Sequence, residues 1–293
     1  MSIYYRLFNS AEEVIMPELI RNLPTDISEV HVDTKHRDPN FLMSGHHCHT
    51  CYELYYVNSG SCRFLVEEHF YDLRAGDLLL IPPMVLHYTR YTFGPCVRTV
   101  ILFRHEDMTD DTLSCLQASG QMLNETSLFH ISPASLDQVN NCLRQMTVED
   151  RISDDYSLFL RKCYLQSLLV LCLRGNDALA AAPEEIQTDD QQVLRAARFI
   201  NENYMNPITT EDVARAVSFS PNYLSRRFRV AAGVGLHEYI VFVRLHHAAH
   251  ELVTTSDSIT VIALRCGFSN SNYFKDSFKK KYGVTPRSYR NMR

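Results

Sequence analysis

The sequence predicts an α+β multidomain chain, with a small antiparallel β-barrel or sandwich first, then helices, then an all-α module. Three observations predict it. Short apolar runs broken by turn residues fill the first third, and helical spacing takes over from about Asp111. The last hundred residues align with themselves, as a repeated helix-turn-helix unit would.

From about Val30 to Phe103 the runs include YELYYV at 52–57, CRFLVE at 62–67 and LLLIPP at 78–83. Asn58-Ser59-Gly60 and Arg74-Ala75-Gly76-Asp77 separate them, which is the punctuation of antiparallel strands. Helices are expected at about 134–149 and 154–174, where Leu158, Leu165, Leu168, Leu169 and Cys172 fall along one stripe. The stripe suits either packing onto the barrel or a partner chain. The stretch 175–191, GNDALAAAPEEIQTDDQ, is small and acidic without apolar periodicity, and reads as a linker. The expected division is therefore a β-barrel at 1–108, a helical support region at 109–174, the linker, and a helical module at 192–293.

Charge follows the same division. The chain carries a net charge of −5, but residues 191–293 hold 15 Lys+Arg against 7 Asp+Glu, leaving the remainder strongly acidic. One basic end on an acidic chain points to a polyanion partner for that end. No apolar stretch approaches the roughly 18 residues of a membrane span, and MSIYYRLFNSAEEV lacks the layout of a signal peptide. Nine scattered cysteines with no framework spacing read as reduced thiols, so a cytoplasmic location is expected.

Within the last region Val213-Ala214 recurs as Ile262-Ala263, and Ser218-Phe219-Ser220 as Gly267-Phe268-Ser269. After a one-residue slip, Tyr223-Leu224, Phe228 and Gly233 recur as Tyr273-Phe274, Phe278 and Gly283. Thr209 with Asp212 makes a capping box, and Ser220-Pro221 supplies an N-cap and a first-turn proline. In the second helix of each copy the residues turned from the core are Asn222, Ser225, Arg226 and Arg229, then Asn272, Lys275, Asp276 and Lys279. Arg suits guanine, Asn adenine, and Lys and Ser phosphates. The helix expected between the copies spans roughly 25–30 Å, close to the ~34 Å between successive major-groove faces.

These residues carry a resemblance. ITTEDVARAVSFSPNYLSRRFRVAAGVGLHEYI and SITVIALRCGFSNSNYFKDSFKKKYGVTPRSYR look like the C-terminal domain of AraC/XylS-type regulators, over about 100 residues, most specifically at Gly267–Arg290. The resemblance implies double-stranded DNA as partner, with Asn222, Ser225 and Arg226 reading one major groove. Ser271, Asn272, Lys275 and Asp276 would read the next. Asp276 departs from the basic residue often found there; an acid can accept from cytosine N4. The first unit, which presents Arg229 beside Asn222, Ser225 and Arg226, would supply most of the base discrimination, and the second more of the phosphate anchoring through Lys275, Lys279, Lys280 and Lys281.

The N-terminal region holds a second dense feature, HHCHTCYE at 46–53. On a strand His47, His49, Cys51 and Glu53 would share a face, with Cys48 on the other. Gly76-x5-Pro82-x4-His87 supplies a further histidine, and the whole resembles the two cupin motifs. Phe41 and Met84 stand where glycines are expected, and Tyr91 where an asparagine is. His47, His49, Glu53 and His87 are thus candidates to hold a small-molecule effector or a divalent metal such as Zn, Ni, Mn or Fe. The expected function is an effector-responsive, sequence-specific transcription regulator and not an enzyme. By resemblance it is a homodimer, paired through the helices after the barrel, and a partner of RNA polymerase. The alternative is a metal-dependent cupin enzyme with an appended helical domain.

Overall fold

A computed structural model describes residues 27–39, 41, 47–66, 69–83, 85–91, 94–120, 123, 125–152, 154, 156–176 and 188–291. Eight strands build the N-terminal domain: β1 (His31–Arg37), β2 (Tyr52–Ser59), β3 (Ser61–Val66), β4 (His69–Arg74), β5 (Asp77–Ile81), β6 (His87–Arg90), β7 (Cys96–Phe103) and β8 (Ser127–His130). They pair antiparallel in two sheets, β1-β7-β2-β5-β8 and β4-β3-β6. Tyr55, Val57, Phe64, Val66, Leu79 and Ile81 fill the space between the sheets.

Strands β2 and β5 are buried on both faces, which is why they read as near-continuous apolar runs. Their inward residues line the barrel, while Tyr52, Leu54, Tyr56, Leu78 and Leu80 pack outward against helices. Gly60, with φ +78°, makes the sharp β2–β3 turn; a β-carbon there would stand 2.1 Å from the Pro95 carbonyl oxygen.

The covering helices are α1 (Asp110–Ala118), α2 (Pro133–Glu149) and α3 (Ser157–Gly175). Helix α3 starts later than its sequence suggests, because the Asp154 carboxylate accepts from the Tyr156 and Ser157 amides and the Ser157 hydroxyl. Leu165, Leu168, Leu169 and Cys172 bury against the five-stranded sheet together with Val139, Leu143 and Met146 of α2, while Leu158 is half-buried. That stripe is therefore spent on the barrel and is not a face open to a partner chain. A second correction concerns the region read as helical, 109–174. Its residues Ser127–His130 form β8 at the edge of the sheet, tied there by His130 Nδ1 to Asp77 Oδ1 at 2.8 Å. Four residues are too few to display a strand period.

The C-terminal module comprises α4 (Thr188–Asn203), α5 (Thr210–Ala216), α6 (Pro221–Ala232), α7 (Leu236–Thr254), α8 (Ile259–Arg265), α9 (Ser271–Tyr282) and α10 (Pro286–Arg290). Helix α4 begins inside the stretch read as a linker, of which residues 177–187 lie outside the described ones. Both repeat copies have the expected helix, turn and second helix. Thr209 and Asp212 form the reciprocal capping box, and Ser220 Oγ accepts from the Tyr223 amide. Helix α7, 19 residues long, runs between the copies and buries Tyr239, Ile240, Val243, Ala248 and Leu252 against Leu224, Phe228, Phe274 and Phe278. Gly233 and Gly283 close the second helices in left-handed conformation, at φ +73° and +74°.

The two turns need a left-handed residue at the same place. The second copy has Gly267, at φ +84° and packed on the Tyr204 carbonyl, whereas the first has Ser218 at φ +61°. A side chain costs about 1–2 kcal/mol in that region. We predict that Ser218→Gly stabilises the protein by about 0.5–1 kcal/mol, the entropy of an extra glycine in the unfolded chain offsetting part of the relief. Urea unfolding with an unchanged or lower midpoint would contradict this.

Candidate functional site

The barrel gathers His47, His49, Glu53 and His87 so that one ligand atom from each lies within 4.8 Å of the others. Only Glu53 and His87 sit on regular strands, facing inward from β2 and β6. His47 reaches them through a single β-bridge, exchanging backbone hydrogen bonds of 3.1 and 3.0 Å with His87. Cys51 does not join the four, and His46 lies outside the described residues.

Each remaining contact sets a protonation state. His49 Nδ1 donates to the Cys51 carbonyl at 2.9 Å, and His87 Nδ1 to the Val85 carbonyl at 2.9 Å. Both rings therefore turn Nε2 toward Glu53 Oε2, at 2.7 Å for His49 and 3.4 Å for His87. Burial alone would push the His49 imidazole down, but its hydrogen bonds to Cys51 and Glu53 hold it well above the usual histidine range. Burial alone would likewise raise Glu53, yet the His49 hydrogen bond and the His87 ring at 3.4 Å keep its carboxyl well below the usual range. His47 goes the other way: burial, then the neighbouring His87, pushes it down to about 3, so it stays neutral. His87 Nε2 is buried without a hydrogen-bond partner among the described residues. The neutral His47, the rings of His49 and His87 fixed by backbone carbonyls and the ionised Glu53 make a donor set that fits a divalent metal, which His49 would join by releasing the Nε2 proton it now gives to Glu53.

The departures from the cupin motifs pack on one another. The Phe41 and Tyr91 rings meet edge-to-face at 5.9 Å, Arg37 caps Phe41 at 4.0 Å, and Tyr91 Oη hydrogen-bonds Tyr55 Oη at 2.9 Å. Two bulky residues thus replace two small ones as a pair. Met84 lies outside the described residues.

On the helical module, Asn222 and Arg226 of α6 are exposed, and Ser225 is half-buried. Arg229 is exposed and lies 3.7 Å from Glu238 at the start of α7. On α9, Asn272, Lys275, Asp276 and Lys279 are exposed and Ser271 is half-buried at the helix start. The Asn270 carboxamide caps that helix by accepting from the Asn272 and Tyr273 amides. One expectation is corrected. Lys281, expected to face phosphates, instead lies over the Phe242 ring at 4.5 Å, and burial pushes its ammonium down. It is the eleventh residue of α9, on the inward side one turn after Phe278. The carbonyls that lock His49 and His87 lie only two residues away along the chain, yet residue spacing does not show which ring nitrogen turns toward them.

Comparison with known proteins adds the following. Residues 34–169 match the family described as AraC-like ligand binding domain, and residues 213–292 match that of a helix-turn-helix domain. The HTH-type transcriptional activator RhaS of Klebsiella pneumoniae is 26% identical over 277 residues, spanning 92% of this chain and 96% of that protein. The HTH-type transcriptional regulator YijO of Escherichia coli K12 is 28% identical over 245 residues, spanning 80% of this chain and 82% of that one. Among solved structures, the C-terminal domain of AraT, a response regulator from Geobacillus stearothermophilus, is 35% identical. It covers 35% of this chain and 85% of its own, with a TM-score of 0.34.

The buried His49–Glu53 pair generates a stability prediction. With divalent ions chelated, Glu53→Gln should cost about 3 kcal/mol, because it strands a buried imidazolium. The sign of the pH dependence follows from the two shifts. The Glu53 contribution is fully present above its ordinary value of 4.5 and is lost as pH falls through its lowered folded value. The His49 contribution is fully present below its ordinary value of 6.5 and fades as pH rises through its raised folded value. The difference between wild type and variant should therefore be greatest between about 4.5 and 6.5. Chemical denaturation giving equal stabilities across that window would contradict the pairing.

Proposed function

Since this chain belongs to the AraC family of transcription regulators, with a ligand-binding domain followed by a helix-turn-helix domain, we propose a division of labour among its named residues. The α6 helix reads one major groove through Asn222, Ser225 and Arg226, with Arg229 on the backbone. The α9 helix enters the next groove with Ser271, Asn272, Lys275 and Asp276, and Lys279 anchors phosphate. One observation carries this reading. Two capped helices, one before and one after a 19-residue helix about 28 Å long in the chain, expose Asn222 and Arg226, and Asn272 and Lys275. Duplex DNA with a matching spacing of ~34 Å is the partner that such a pair fits.

In the barrel, His47, His49, Glu53 and His87 form the sensor site and hold a divalent metal, Zn, Ni, Mn or Fe, in direct or effector-shared coordination. What supports this is the buried, unsatisfied His87 Nε2 together with three further donors around it. Such a metal would supply Lewis acidity and open coordination positions for a small-molecule effector. The residues themselves do the positioning: the Cys51 and Val85 carbonyls orient two rings, and Glu53 supplies the negative charge.

The chain acts as a homodimer, and the surface proposed for pairing is the α2–α3 turn. Val148, Ile152, Tyr156 and Phe159 are exposed there, at 46%, 41%, 73% and 68%. RNA polymerase is the partner at promoters. Among the described residues no helix is long and apolar enough to cross a membrane. A catalytic role for the same donor set is the competing reading, and turnover of a substrate by the full chain loaded with Fe or Mn would support it.

Two measurements check the main reading. After selection of bound sequences from a random DNA pool, Arg226→Ala should weaken binding to the selected duplex by about 1–3 kcal/mol and relax specificity at one position. A gel-shift titration indistinguishable from wild type would remove Arg226 from base reading. For the sensor site, elemental analysis of gently purified protein should give one metal per chain, and none for His47→Ala/His49→Ala. Equal metal content in both proteins would remove the metal.

A further inference from the structure

The metal-ligand strand and the DNA-reading helix touch. In β6, His87 and Tyr88 are successive residues and so face opposite sides of the three-stranded sheet. His87 faces inward, its ring 4.2 Å from that of His47. Tyr88 faces outward beside Leu65 of β3, which pairs with Phe70 of β4 on its other side. An outer face of Leu65, Phe70 and Tyr88 would normally meet water. Here Leu65 and Tyr88 are 1% and 2% exposed. Leu65 and Leu86 are continuous with the apolar core of the helical module, and Phe70 packs against it.

Tyr88 meets that module at the left-handed glycine that ends α6. A β-carbon on Gly233 would stand 2.0 Å from Tyr88 Cζ and 2.4 Å from its phenolic oxygen. The corresponding glycine of the second copy, Gly283, has nothing within 4 Å of such a carbon, although its φ is nearly the same. The contact is thus a property of this pair and not of the repeat. A second junction accompanies it. Lys281, on the last turn of α9, lies close enough to His47 and Cys48 for the charges to act on each other. Both reading helices therefore end against segments that carry metal-ligand candidates.

We propose that Tyr88 seated on Gly233 is a latch that transmits occupancy of the His47/His49/Glu53/His87 site to the first recognition helix. The coupling rests on the metal reading of that site given above. Asn222 and Arg226 stay exposed with the latch seated, so the contact sets the orientation of α6 relative to the barrel without covering its DNA-facing side chains. A ligand that pulls His87 inward moves the next residue of the same strand, and with it the floor on which Gly233 rests. For such a device to work, metal must bind the two orientations with different affinity, and the effect must be reciprocal between metal and DNA.

The test uses full-length protein, Zn2+ as probe, and the duplex selected from the random pool. Zn2+ affinity is measured by calorimetry, and DNA affinity by gel shift in chelator and in saturating Zn2+. Wild type should change its DNA affinity by about fivefold or more on Zn2+ binding. Tyr88→Ala and Gly233→Ala should bind Zn2+ as wild type does, yet lose that change. Tyr88→Phe and Gly283→Ala should keep it, the latter carrying the same left-handed strain without the contact. Full Zn2+ dependence in Tyr88→Ala, or Zn2+-bound wild type indifferent in its DNA affinity, overturns the latch. If wild type binds no Zn2+, the metal reading fails, and hydrogen exchange then judges the latch. Tyr88→Ala must speed exchange at 229–235 and not at 279–285, and equal exchange in both segments overturns it.

Discussion

The pairing of β6 with β3 is the constraint on which the two halves of this molecule depend. Its register sets Leu65 opposite Tyr88 and Val66 opposite His87. Because side chains alternate across a sheet, that register commits His87 to the barrel interior and Tyr88 to the helical module. A slip of one residue would exchange them, leaving a tyrosine among the ligand candidates and a histidine on an apolar junction. The same register carries the backbone exchange between His87 and His47, so the fourth donor is placed by main-chain bonds. A chemically specific site and an interdomain contact are thus two faces of one strand pair.

Burial then decides the chemistry of the site. His47 and Glu53 both leave water, but only Glu53 finds a hydrogen-bond donor, so one group is neutral and the other stays charged. The Cys51 and Val85 carbonyls take up the Nδ1 protons of His49 and His87 and leave Nε2 directed at the centre. The helical module follows a different logic, in which the turn geometry is fixed and the residue is not. Ser218 and Gly267 adopt the same left-handed conformation, one at a steric cost and one without. The repeat therefore preserves a backbone path while its exposed residues diverge, Arg226 and Arg229 in one copy and Lys275 and Asp276 in the other.

Much of this architecture was legible in the sequence, for physical reasons that differ by region. The repeat of Phe228 and Phe278 before Gly233 and Gly283 announces a helix that packs and then stops, because apolar spacing and a left-handed cap are local properties. His47, His49 and Glu53 were legible as a group through alternation, even though the chain reaches them by a bridge and not a continuous strand. Strand β8 escaped because four residues carry no period, and the later start of α3 escaped because an Asp154 turn precedes it. Lys281 was misjudged as a phosphate anchor because its charge suits DNA while its place on α9 turns it toward Phe242 and the barrel. The Tyr88–Gly233 contact joins residues far apart in the chain, and nothing in their local patterns links them.

The central claim is that two unequal helices read successive major grooves from one side of a duplex. Hydroxyl-radical footprinting of full-length protein on its selected DNA tests that most directly. The account predicts two protected patches on one face, about 10 base pairs apart. Asn222, Ser225 and Arg226 would lie over the more sequence-constrained patch. A single patch, or uniform protection without regard to sequence, would contradict it.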